Sequence, residues 1–351
     1  MLSSLTIRNF RSILDMTVSF AFAEKRAPAG FRDSDRVFFI EPAPKVRLVP
    51  TLALYGSNAS GKSNVLMALG AFRDCAVSGV QGKFRPDKLH PELRTTSFAA
   101  TIVRQGHRFV YAIEYDRDEF VKESLSADGQ LLFSVGQDGQ MFGPLATESY
   151  PEQRLQEIFR VECSTPQHKQ TASFLSVIGK RYPGLNPLVT AVFDFFNEGI
   201  IVLNDNTIHI SRGVDLFASV LEKADDPDPM KNAFARITAL LENLDIHICR
   251  MELHRKRMRL DRDTHERNYL DVDPEFLRRL TSFEKEGDSI VLNTDRICSF
   301  HQDAQGNEVE FDFSTEESRG TQIVAGLLGV FLAALESGGV VAVDELDRSL
   351  H

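Results

Sequence analysis

Residues 56–63 read GSNASGKS, directly behind the apolar run from Leu48 to Tyr55 and ahead of a stretch in which Val65, Leu66, Ala68, Leu69 and Phe72 recur at helical spacing. Few eight-residue stretches restrict a fold so tightly. An extended segment must stop, turn through small residues and restart as a helix, from Lys62 to about Val77, which is the strand–loop–helix unit of an α/β fold. The loop fits G-x-x-x-x-G-K-[ST], in which small side chains let successive backbone N–H groups converge on phosphate oxygens while the helix directs its positive end to the same point. An ordinary Gly-rich strand–helix turn is the alternative.

On the phosphate reading each residue has a task. Gly56, Ser57, Asn58, Ala59, Ser60 and Gly61 form the cradle, with Asn64 one turn beyond it. Lys62 reaches the β- and γ-phosphates as a point charge and Ser63 ligates Mg²⁺. Hydrolysis further needs a carboxylate to orient the metal and a base for water, and "VVAVDE" is an apolar strand ending in Asp344 and Glu345. Asp344 is expected to hold Mg²⁺ through its water shell, and Glu345 to polarise the attacking water. Together with the loop, the pair predicts an ATPase with ATP and Mg²⁺ as cofactors, Lys62 and Glu345 being the catalytic groups.

The composition narrows the class. A chain of 351 residues with 42% apolar residues can bury a substantial core. Its formal charge of 40 − 50 = −10 offers no broad basic surface to nucleic acid. The segment 249–267 is the local exception, with seven Lys/Arg against four acids; a solvated helix or hairpin face and a nucleic-acid or partner contact both fit it. Cys75, Cys163, Cys249 and Cys298 form no C-x-x-C pair, so neither a disulfide framework nor a zinc site is expected, and a reducing cytoplasm is. The nine histidines show no metal-ligand spacing, leaving Mg²⁺ as the one expected metal. The N-terminus lacks the apolar core of a signal peptide and no stretch approaches 18 uninterrupted apolar residues, so export and membrane spanning are not expected.

Along the chain, "LTIRNF" and "LDMTVSFAF" alternate as strands, and "VRLVPTLALY" is apolar enough for a central strand. Residues 97–135 predict an antiparallel meander with turns at Gly106 and Asp128-Gly129. After Pro151 the pattern turns mostly helical, with Phe234, Ile237, Leu241 and Leu244 on one helix face behind the breaker "DDPDP". "AVFDFFNEGIIVL" reads as core, and "RICSFHQDAQGNEVEFDF" as strand–turn–strand. Arg8 and Arg11 are open to two roles, approach to the nucleotide or surface ion pairing. No internal repeat and no sustained heptads occur.

Ser318-Arg319-Gly320-Thr321-Gln322 stands before the apolar "IVAGLLGVFLAAL" and about 25 residues before Asp344. Here the chain resembles the ABC-type ATPases, whose S-x-G-x-Q signature precedes the Walker B strand in this way. The resemblance implies that Ser318, Gly320 and Gln322 of one copy close on the γ-phosphate held by another, giving a head-to-tail homodimer, or a higher oligomer, around ATP. "LDRSLH" is similar to the D-loop of these proteins, with Asp347 at its usual place at the dimer interface.

The phosphate loop and the signature are separated by 318 − 63 = 255 residues, too far for a transporter subunit, and the missing heptads exclude a long coiled coil. The opening strands, "YGSNASGKSNVLMAL", "FVYAIEYDRDEFVKESL" and "VDELDRSLH" together resemble prokaryotic AAA-family ATPases with SMC-like heads from phage-defence and abortive-infection modules, including the overcoming-lysogenization-defect type. The fold so implied is a P-loop NTPase of ABC/SMC-head type, with antiparallel strands near the N-terminus and a large, mostly helical insertion. Its expected parts are 1–80 and 301–351 for the head and 81–300 for the insertion. The implied function is regulation, by nucleotide-driven closure, of a separately encoded effector, a nuclease or toxin. A DNA-repair ATPase that binds DNA itself, and an ATP-dependent scaffold with little turnover, are the alternatives. ABC heads continue beyond the D-loop to a switch histidine, for which His351 comes too early, so more chain is expected after it.

Overall fold

A computed structural model of the chain describes residues 1–22, 38–40, 46–164, 169–203, 208–260, 280–286 and 289–346. It is a mixed α/β protein with two compact units, Met1–Leu203 with Ser337–Asp344, and Asn204–Glu336 with Glu345–His351.

The first unit is built on a seven-stranded antiparallel sheet. Strands β1 (Leu2–Phe10) and β2 (Ile13–Ser19) join the meander of β6 (Thr96–Arg104), β7 (His107–Tyr115), β8 (Phe120–Ala127), β9 (Gln130–Gly136) and β10 (Gly139–Met141). The order is β10-β9-β8-β7-β6-β1-β2, with β1 pairing β6 from Leu2↔Ile102 to Arg8↔Ser97. Gln105-Gly106 and Asp128-Gly129 have φ of 51° and 77°, and of 50° and 82°. Two positive φ values in succession make the two-residue turn that suits the twist of a hairpin. Asp128 also accepts the Arg108 N–H, locking its turn.

On β6 every second residue from Thr96 to Ile102 is buried, so one face of the sheet is core. Against it lie α1 (Lys62–Ser78), α3 (Phe174–Arg181) and α4 (Pro187–Glu198), with α2 (Glu152–Ile158) continuing into a π turn at 159–163. Phe72 of α1 is fully buried, with ring centroids at 5.4 Å from Phe98, 5.6 Å from Tyr111 and 4.9 Å from Phe196. Glu123 of β8 is buried too, accepting from Tyr111 Oη, Ser173 Oγ, Gln170 Nε2 and the N–H groups of Phe174 and Leu175 at 2.7–2.9 Å. One carboxylate thus fastens the start of α3 to the sheet. Burial pushes its carboxyl up, while those donors pull it down.

Two smaller sheets complete this unit. Strands β3 (Ala21–Phe22), β4 (Phe38–Ile40) and β5 (Val46–Leu48) are antiparallel, and β11 (Ile200–Leu203) pairs in parallel with β16 (Val340–Val343).

The second unit packs α5 (Ile210–Lys223), α6 (Pro229–Glu242) and α7 (Arg319–Ser337) with a sheet of β12 (Arg250–Leu260), β13 (Leu280–Glu286), β14 (Ser289–Gln302) and β15 (Glu308–Asp312). β14 is central, with β12 on one edge and β13 then β15 on the other. Helix α7 is long and apolar enough to cross a membrane by length and composition, and its Ile323, Ala325, Leu327, Val330, Leu332 and Ala333 are buried within the fold. It meets α5 at glycines, where a Cβ on Gly213 would overlap the Gly326 carbonyl.

Four expectations are corrected. The strand expected over 46–55 ends at Leu48: Pro50 has no N–H for a ladder, and residues 51–55 lie outside any sheet, with Leu52, Leu54 and Tyr55 exposed. The segment 81–300 is not mostly helical, since it holds β6 to β13 and part of β14 beside α2 to α6. The meander within it shares a sheet with β1 and β2, because β6 pairs β1 directly. Leu244 falls past the end of α6 and is exposed. The basic segment begins as strand β12, while residues 261–267, like the Asp347 and His351 positions, lie outside the described residues.

Candidate phosphate-binding site

The GSNASGKS loop enters α1 through two left-handed residues, Ala59 at φ 63° and Gly61 at φ 94°. The second favours glycine, and a Cβ there would also stand 3.2 Å from Ser12 Oγ. Ser60 N–H closes a turn on the Ser57 carbonyl at 3.2 Å. The Lys62 side chain folds back across the loop, its Nζ donating to the carbonyls of Gly56 and Ser57, both at 2.9 Å. This ammonium therefore bridges back to the first two residues of the loop.

Helix α1 has no side-chain cap at Gly61 and no acidic residue in its first turn. The first N–H groups of a helix have no carbonyl four residues back, and their partial positive charge is strongest there. Here that end is left to the loop and to solvent, with residues 56–60 exposed and Gly61 to Asn64 half-buried. A deeply buried cap would have closed it.

Two contacts set the direction of α1 against the parallel pair. Gly70 lies 3.7 Å from Val202 for an added Cβ, and Arg73 Nη1, one turn further on, donates to the Ile200 carbonyl at 3.3 Å. As α1 advances β11 recedes, so the helix runs antiparallel to β11 and its start points to the carboxyl end of that strand. β16 runs in register beside it, Leu203 opposite Val343, and the Asp344 N–H donates to the Leu203 carbonyl at 3.0 Å. Lys62, Ser63 and Asp344 thus lie toward the same end of this unit. Ligands of open α/β sheets bind at the carboxyl ends of strands. Asp344 is half-buried, and Glu345 after it is exposed with φ 52°, a left-handed value rare for a non-glycine residue.

Asn64 is occupied: its Nδ2 donates to Ser12 Oγ at 2.7 Å, so it ties the loop to the β1–β2 turn. Ser12 is the residue of that turn that touches the loop, a contact sequence reasoning missed. Arg8 instead pairs with Asp15 at 3.1 Å on the surface.

In the second unit, Ser318 precedes α7 and its Oγ accepts the Thr321 N–H at 3.1 Å, as an N-cap does. The Gln322 amide donates to the carbonyls of Ser314 and Glu317, both at 3.0 Å, bracing the turn that delivers Ser318. Glu317 is held by Ser299 Oγ and by His301 Nε2, each at 2.6 Å. Among the described residues, the nearest atom to a Cβ added at Gly320 is Ser318 Oγ at 3.7 Å, an ordinary van der Waals distance. On β12, Arg250 pairs with Glu252 and Glu308, which removes one charge from the basic segment. A groove lined by Gln137, Gln140, Gln153 and Gln156 contains none of the residues singled out by motif.

Comparison with protein-family models and with curated proteins finds no match.

Proposed function

We propose that the chain binds ATP with Mg²⁺ in the loop Gly56–Ser63 and hydrolyses it, as a P-loop ATPase of ABC/SMC-head type. One observation carries this reading: Lys62 is folded over the carbonyls of Gly56 and Ser57 at the uncapped start of α1. A triphosphate would take the ammonium from those neutral acceptors in exchange for charged ones, which are roughly twice as strong. Ser63 and Asp344, toward the same end of the parallel strands, would hold Mg²⁺, and Glu345 would activate water.

In this reading Ser318 and Gly320 at the start of α7 serve the nucleotide of another copy, which makes closure of a homodimer the output. Gly320 supports it, because the described residues of its own unit stand no closer than 3.7 Å to an added Cβ there. Gln322 acts by bracing, and Asp347 belongs to the same interface. The dimer would act in the cytoplasm on a separately encoded effector, a nuclease or toxin, in defence against phage. The test is ATP-dependent dimerisation by light scattering: Glu345→Gln should accumulate ATP-bound dimers and Lys62→Ala should form none. A dimer population indifferent to ATP in both variants would refute the mechanism.

A further inference from the structure

Three strands of the second unit bring one nitrogen, one sulfur and one oxygen ligand together. His254 of β12, Cys298 of β14 and Glu310 of β15 meet on one face of the sheet, with ligand atoms all within 4.8 Å of one another. Cys298 Sγ is 3.4 Å from His254 Nδ1 and 3.3 Å from Glu310 Oε1, and His254 Nδ1 is 3.9 Å from that same oxygen. Zinc binds thiolate at ~2.3 Å and imidazole or carboxylate at ~2.0–2.2 Å, so three corners of its tetrahedron lie about 3.3–3.6 Å apart. The observed triangle is already close to that size.

The surroundings favour a cation. Glu252 Oε2 stands 3.4 Å from His254 Nε2, on the far side of the ring. A carboxylate there selects the tautomer with its proton on Nε2, which turns the Nδ1 lone pair toward Cys298, as the outer partner of a metal-bound histidine does. Without a metal, one thiol proton then faces two acceptors, Nδ1 and Glu310 Oε1, and can satisfy only one. Arg296 holds Glu310 at 3.1 Å and Asp312 at 3.0 Å, orienting the former. Its charge opposes a second cation, yet Glu252, Glu308, Glu310 and Asp312 outnumber the two guanidinium groups of Arg250 and Arg296. Cys298 has no exposed surface, whereas the side chains of His254 and Glu310 are 43% and 37% exposed, so the open fourth corner faces solvent.

We propose that His254, Cys298 and Glu310 bind one Zn²⁺-class ion, with water at the fourth position, as a site separate in sequence and chemistry from the Mg²⁺ expected at Ser63 and Asp344. Binding releases the Cys298 thiol proton to solvent and leaves thiolate, neutral imidazole and carboxylate as ligands. It pins β12 and β15 to β14 across the end of the sheet nearest their chain connections to α6 and α7.

The test uses the metal-free intact chain titrated with Zn²⁺, and with Co²⁺ as a spectroscopic probe. One equivalent of zinc should bind, and cobalt should give a thiolate charge-transfer band that Cys298→Ser abolishes and Cys249→Ser leaves unchanged. His254→Ala and Glu310→Gln alter exposed side chains and keep the fold testable by circular dichroism if Cys298→Ser does not fold. Each should weaken zinc at least tenfold, and Glu252→Gln about tenfold through the histidine. Absence of stoichiometric zinc in the parent, or zinc affinity unchanged in both His254→Ala and Glu310→Gln, would overturn the proposal.

Discussion

Lys62 Nζ donates to the carbonyl of Gly56, six positions earlier, at 2.9 Å. The contact closes the loop on itself with acceptors that are exposed and hydrated, and such bonds add little to stability. Lys62→Ala should therefore change unfolding free energy by less than about 1 kcal/mol, read from urea midpoints. That makes the variant a fair probe of ligand binding, because a loss of affinity would not trace to misfolding.

Glu345 is exposed and directly follows Asp344 beyond the end of β16. Glu345→Gln should keep ATP affinity and reduce turnover by about 10²–10⁴-fold, the usual contribution of a positioned base. Single-turnover hydrolysis measures it directly.

Glu123 gives a prediction about stability and pH. Its Oε1 serves Tyr111, Ser173 and Leu175, and its Oε2 serves Gln170 and Phe174. In Glu123→Gln the NH₂ group must face one of these donor sets, leaving buried donors opposed, so a loss of about 3 kcal/mol is expected. Burial raises the folded carboxyl above its ordinary value of 4.5, so from there upward the native state holds a proton that the unfolded chain has released. Stability contributed by this group is thus largest below that value and falls as pH rises toward the folded one. Chemical denaturation across this range should show the falling component in the parent and not in Glu123→Gln.

The α5–α7 contact depends on Gly213, where a side chain would run into the Gly326 carbonyl. Backbone cannot rotate aside as a side chain can. Gly213→Ala should destabilise the second unit by about 2–3 kcal/mol, the cost of overpacking, and lower the corresponding thermal transition.

The thiols should differ in reactivity. Cys249 is exposed, while Cys75 is buried with its thiol pushed up to about 12, and burial raises Cys163 as well. Thiolate is the reactive form, so alkylation at pH 8 followed by mass spectrometry should label Cys249 first and leave Cys75 and Cys163 until unfolding.

Much of this was legible because it is locally encoded. The hairpins at Gln105-Gly106 and Asp128-Gly129 follow from turn residues that tolerate positive φ, and α1 follows from its apolar spacing. What escaped was non-local. No short pattern in "LTIRNF" tells that β1 will pair with β6 some ninety residues later, and apolar content alone made residues 51–55 look like a strand that Pro50 cuts off. Ser12 touches the loop only because β1 and β2 bring their turn to it. His254, Cys298 and Glu310 come from three strands and share no helical or loop spacing, so ligand counting along the chain passes over them.

The central claim, that residues 56–63 hold a nucleotide triphosphate, is tested most directly by titration calorimetry of the intact chain with ATP and Mg²⁺. The account predicts saturable heat with one site per chain, weakened about 100-fold or more in Lys62→Ala, equivalent to the two charge-assisted bonds lost. No heat with ATP or GTP in the parent, or the same isotherm in Lys62→Ala, would contradict it.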